Sequence, residues 1–107
     1  MPRGRAVRVL EPRAGEAARL LKLLGNEQRL VVLCRLMGGE MSVSQLGEHV
    51  SLAQPALSQH LARMRTEGLV ATRRDAQTII YRISDPLAEK LIDALCDVVS
   101  GRRTTDR

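Results

Sequence analysis

The chain has 107 residues, enough for one domain with a modest core and too few for two. Its 17 lysines and arginines outnumber 12 aspartates and glutamates, giving a formal net charge of +5 and making a polyanion the first partner to consider. Phe and Trp are absent and Tyr81 is the only aromatic residue. Readers of unstacked RNA or single-stranded DNA need rings for the bases to stack on, so double-stranded DNA is the expected target.

No apolar run approaches the ~20 residues that span a bilayer, so no membrane association is expected. Arg3, Arg5, Arg8 and Arg13 crowd the N-terminus without an apolar stretch of the secretory kind. Cys34 and Cys96 do not make the disulfide framework of a small secreted domain. The expected location is cytoplasmic, with both thiols reduced.

In chain order, residues 1–14 mix Pro, Gly and Arg without periodicity and read as a flexible basic arm, as do residues 102–107 at the other end. The folded domain is expected over residues 15–101. A first helix over residues 16–24 places Ala17, Leu20, Leu21 and Leu24 on one side; Gly25 ends it and Asn26 caps the next. The second, 27–37, is apolar nearly all round (Leu30, Val31, Val32, Leu33, Cys34, Leu36, Met37), as befits a helix in mid-core or between subunits. Gly38-Gly39 stops it. Ser42 followed by Gln45 has the form of a capping box for a third helix, with Val43, Leu46 and Val50 facing inward.

A fourth helix starts near Gln54, with Pro55 in its first turn and Gly68 closing it; Ala53 is a weak cap. Leu57, Leu61 and Met64 form its apolar edge, with Ser58, Gln59 and Arg63 on the other side. Residues 69–83 then read as a basic β-hairpin in which Ile79, Tyr81 and Ile83 alternate with Ile80 and Arg82. Arg73, Arg74, Asp75, Ala76 and Gln77 lie at or near its tip. A last helix over 86–100 carries Leu87, Leu91, Leu95 and Val98 on one stripe. The order α-α-α-α-β-β-α, mainly α with a small hairpin, is that of a winged helix-turn-helix whose fourth helix enters the DNA major groove. The first and last helices are surplus to that motif, and their apolar stripes suggest a homodimer joined through them.

Candidate DNA contacts follow from side-chain chemistry. Gln54, Ser58 and Gln59 suit base edges near the start of the groove helix. His60 lies at the border of groove face and core, where a hydrogen-bonded packing role competes evenly with DNA contact. Arg63 and Arg65 suit phosphates; Arg73, Arg74 and Gln77 suit a wing reaching phosphates or the minor groove. For any single arginine the competing reading is a solvated surface charge.

The sequences Leu24-Gly-Asn-Glu-Gln-Arg-Leu30, Leu57-Ser-Gln-His-Leu-Ala-Arg63 and Glu67-Gly-Leu-Val-Ala-Thr-Arg-Arg-Asp-Ala-Gln77, with Tyr81, resemble the ArsR/SmtB family of bacterial winged-helix repressors over residues 16–100. Within it the chain is most similar to the sulfide- and redox-responsive BigR/SqrR/HlyU-like branch, which also has a cysteine in the second helix. The resemblance implies a homodimer that binds palindromic operator DNA and represses transcription until an inducer acts. The third-helix cysteines of the family's metalloid sensors and the last-helix histidines of its zinc sensors have no counterparts here. Residues 42–50 hold no Cys, residues 85–101 no His, and no metal or cofactor is expected.

Cys34 and Cys96 then carry two readings. In one, both are small buried hydrophobes. In the other, implied by the resemblance, they form a dithiol switch that a persulfide or oxidant closes to release DNA. Those relatives place their second cysteine a helical turn later, at the position of Ser100, so capture of arsenic(III) by the same thiols stays open. So do a constitutive DNA-binding protein without a sensor and a winged-helix module that binds only protein. No nucleophile–base pair, phosphate-cradling loop or carboxylate pair points to an enzyme.

Overall fold

The computed structural model describes residues 2–101; the tail over 102–107 lies outside the described residues. After short helical turns over residues 2–13, the order is α1 (Ala14–Leu24), α2 (Glu27–Met37), β1 (Met41–Ser42), α3 (Val43–Gly47), α4 (Gln54–Thr66), β2 (Val70–Asp75), β3 (Thr78–Ile83) and α5 (Pro86–Ser100). The chain is mainly helical with a small three-stranded antiparallel sheet, ordered β1-β3-β2.

Where the sequence suggests a flexible arm, the backbone of residues 2–13 turns helically. Pro12 has no N–H and its ring crowds the preceding turn, so the ladder widens before it and tightens after it. Accordingly the Glu11 N–H donates to the Ala6 carbonyl, and the Ala14 N–H to that of Glu11. Val7, Val9 and Leu10 on these turns are all at least half exposed.

The helix boundaries have local causes. Asn26 caps α2 by accepting the Arg29 N–H at 3.0 Å. The capping box is formed: Ser42 Oγ accepts the Gln45 N–H at 3.2 Å and Gln45 Oε1 accepts the Ser42 N–H at 2.8 Å. Asp85 caps α5 through the Leu87 N–H at 2.9 Å. Strand β1 is absent from the sequence reading; it is defined only by pairing Met41 with Tyr81 and Ser42 with Ile80 on β3.

The core is built from one face of each helix. Val32 and Leu33 of α2, Leu46 of α3, Leu57, Leu61 and Met64 of α4, and Leu69 at the mouth of the hairpin are fully buried. Leu23 and Leu24 of α1 and Ala88 and Ile92 of α5 close it from the two ends of the chain. The stripe expected on α5 divides: Leu91 packs partly against the core, while Leu87 and Val98 stay exposed, the latter at 72%. Leu21 on α1 is likewise exposed. No described helix is long and apolar enough to cross a membrane.

Removing a methylene-rich side chain from this centre leaves a cavity, so Leu61→Ala is expected to cost ~2–5 kcal/mol. Ser42→Ala, which removes one cap, should cost only ~1 kcal/mol. Urea denaturation of both variants measures the difference; equal losses would show that α4 is not the keystone of the core.

Candidate nucleic-acid interface

Because Leu57, Leu61 and Met64 are spent on the core, the opposite side of α4 is forced outward. Gln54, Ser58, Gln59, Arg63 and Arg65 are all exposed there, together with Pro55, Ala62 and Thr66. His60 is half-buried at the margin between this face and the core. Ala53, before α4, makes no side-chain capping hydrogen bond. The turn between α3 and α4 is tied down from elsewhere: the Ser51 N–H donates to Gln28 Oε1 of α2 at 3.2 Å.

The end of α4 is a built joint. Gly68 takes the left-handed conformation, φ +83°, that reverses the chain out of the helix. The Leu69 N–H donates to the Met64 carbonyl at 2.9 Å, and Ser84, at the far end of the hairpin, donates its hydroxyl to the Gly68 carbonyl at 3.0 Å and its N–H to the Leu69 carbonyl at 2.9 Å. Arg19 of α1 donates to Glu67 at 2.7 Å. A carboxylate at a helix C-terminus opposes the helix dipole, and the arginine offsets it.

The hairpin places its charges by alternation. Arg73 pairs with Ile80 and Ala71 with Arg82, which puts Arg73 and Arg82 on one face. Val70, Thr72 and Arg74 pair with Ile83, Tyr81 and Ile79 on the other, whose inner end is buried at Val70. Arg73 and Arg74, both candidate wing contacts, therefore point to opposite sides of the wing. Gln77 is exposed at the tip beside Ala76, which holds a left-handed φ of 58°.

Arg73 is also engaged, which the sequence did not reveal. Its Nε and Nη2 donate to the same Glu40 Oε1, at 3.0 and 2.8 Å. The hydrogen bond from Arg73, helped by the charges of Arg73 and Arg82, holds the Glu40 carboxyl below the usual glutamate range, and Glu40 in turn raises Arg73. Glu40 and Arg82 were missed as members of the site. Strand alternation could have found Arg82; nothing local marks Glu40.

Cys34 and Cys96 are both free and exposed in the single chain, against the reading of two buried hydrophobes. On α2 the core takes Val32, Leu33 and Leu36, so Cys34 falls on the side that faces away. Ser100, where the resemblance puts the second cysteine, is the last residue of α5 and donates its hydroxyl to the Asp97 carbonyl at 3.2 Å. Among the described residues no group of three or more His, Cys, Asp or Glu side chains could hold a metal ion.

A helix-turn-helix with an outward polar second helix and an adjoining arginine-bearing hairpin is the architecture of a winged-helix DNA-binding regulator. Comparison with known proteins agrees. The model of the arsR family of bacterial regulatory proteins matches residues 26–72. The chain is 44% identical over 86 residues to the transcriptional activator HlyU of Vibrio cholerae, covering 80% of each. The crystal structure of the transcriptional repressor BigR from Xylella fastidiosa is similar with a TM-score of 0.79 at 42% identity, covering 83% of this chain and 91% of that one. The reduced form of HlyU from Vibrio cholerae follows at 0.77 and 43%, over 83% and 94%. The chain belongs to the ArsR family; the family and these relatives are DNA-binding transcriptional regulators, not enzymes.

Since its pKa is depressed in the folded chain, Glu40 keeps its pair through the range where free glutamate protonates and loses it only as the pH falls further. An NMR titration of the Glu40 carboxyl should show a midpoint below the ordinary 4.5, returning toward that value in Arg73→Ala. An unshifted midpoint in the parent protein would dissolve the pair.

Proposed function

We propose that the protein is a homodimeric repressor that lays α4 of each subunit in the major groove of a palindromic operator and lets go when its thiols are modified. The observation that carries the reading is the exposed polar face of α4 beside an arginine-bearing wing. In this reading Gln54, Ser58 and Gln59 read base edges, with His60 at the margin. Arg63 and Arg65 meet phosphates, while Arg73, Arg74 and Gln77 extend the contact from the wing.

Dimerisation is supported by the apolar side chains left exposed toward the chain ends: Val7, Val9, Leu10, Leu21, Leu87 and Val98. Paired through these elements, two α4 helices would stand about one DNA turn apart, ~34–36 Å. Control of transcription is supported by the likeness to both the repressor BigR and the activator HlyU, and repression is the sign proposed for this chain.

Thiol control is supported by the exposure of Cys34 and Cys96, which leaves both open to a reactive sulfur species or oxidant. Joining two thiols in a disulfide passes two electrons and two protons to the oxidant. It requires Cα atoms about 4.4–6.8 Å apart, so helix movement or pairing across subunits would accompany it. A coupling of only ~1–3 kcal/mol between the thiols and α4 suffices to lose an operator.

Two measurements test the reading. Gln59→Ala should cost ~1–3 kcal/mol at one operator position, whereas Arg73→Ala should weaken binding to every duplex and flatten the salt slope by about one unit. Uniform losses for both, read by anisotropy on operator variants, would remove the base-reading role. For the switch, polysulfide should modify Cys34 and Cys96 by mass spectrometry and abolish operator binding in the parent but not in C34S/C96S. Full binding after modification leaves a constitutive DNA binder; release by arsenite alone replaces the redox inducer with a metalloid.

A further inference from the structure

Beside the wing, and bonded to it through Arg73, stands an acidic residue, Glu40, where a DNA-binding surface would be expected to avoid one. Glu40 directly precedes β1, at the edge of the sheet, while Arg73 lies on β2, at the other edge, with β3 between them. Ser42 and Arg73 both pair with Ile80, so their side chains share one face. Two residues earlier, Glu40 falls on that same face. Arg82, two residues beyond Ile80, lies there as well, and its charge acts on Glu40. Arg73 reaches across the central strand and gives both Nε and Nη2 to a single carboxylate oxygen.

Among the described residues, Arg63, Arg65 and Arg74 enter no ion pair, whereas Arg73 does. A guanidinium offers a carboxylate and a phosphate the same donors, so the two compete for it. The side chains of this pair remain 50% and 39% exposed, and an ion pair so open to water is weak enough for a phosphate to displace.

We propose that Glu40 is a built-in counterion for the wing, occupying Arg73 in the free protein so that duplex DNA must expel a carboxylate before its phosphate can be bound. The inference rests on the DNA-binding reading of the wing and deepens it. Glu40 acts through Arg73 and touches no base, so it is a positioning residue that sets overall affinity without reading sequence. Its loss should therefore strengthen binding to operator and unrelated duplex by the same factor.

The test measures binding of the parent, E40Q, R73A and E40Q/R73A to operator and to unrelated duplex across salt concentrations. At low salt E40Q is expected to tighten both duplexes by about two- to fivefold. Its salt slope should steepen by a fraction of a unit, the part of the Arg73 contribution that Glu40 cancels in the parent. In the R73A background the same substitution should change little. Thermal melting of each variant checks the fold, and R73Q serves as a second background should R73A fold poorly. Weaker or unchanged binding by E40Q overturns the proposal. So does equal tightening with and without Arg73, which would mean simple repulsion between Glu40 and the DNA. Failure of the parent to bind either duplex is a separate outcome, and overturns the DNA reading on which the proposal rests.

Discussion

Burial of the apolar edge of α4 is the constraint from which the rest of the site follows. Leu57, Leu61 and Met64 are fully buried alongside Leu33, Leu46 and Leu69, and a helix that commits one side so completely has no freedom of rotation. Its remaining side chains are delivered to solvent in a fixed order. The polar face is thus a product of the core, and any repacking that turned α4 about its axis would bury Gln59 or Arg63. Smaller contacts steady the assembly from outside, among them the Gln28 side chain that holds the turn before α4.

The wing takes its direction from the joint at the end of that helix. Gly68 makes the reversal, and Ser84 ties the returning strand to both Gly68 and Leu69, so helix and hairpin leave one hydrogen-bonded knot. Arg19 brings α1 to the same place through Glu67. The helix that exposes Leu21 is therefore also in direct contact with the end of α4. A subunit interface built on α1, as proposed, would bear on the groove helix through this pair.

Charge on the wing is sorted by the pleat. Arg73 and Arg82 share a face with Glu40, while Arg74 stands on the other with Thr72 and Tyr81. A basic hairpin is consequently two surfaces of different character, one partly neutralised and one free of ion pairs among the described residues. Cys34 obeys similar logic: α2 is apolar on more than one side, but the side it buries carries Val32, Leu33 and Leu36, and Cys34 is exposed on the other.

Much of this architecture was legible in the residues themselves. The limits of α2 and α5, the Ser42–Gln45 capping box, the start of α4 and the outward placement of Ser58 and Gln59 all follow from caps, breakers and apolar period, which act within a few residues. The family resemblance added the functional class. What stayed hidden depends on partners distant in the chain. Strand β1 has two residues and exists only because β3 pairs with it; Glu40 finds Arg73 thirty-three positions away. The exposure of Cys34 depends on which of two apolar faces the neighbouring elements cover. Period and capping are short-range information, whereas register, ion pairing and the choice between equivalent faces are settled only when the whole chain closes around its core.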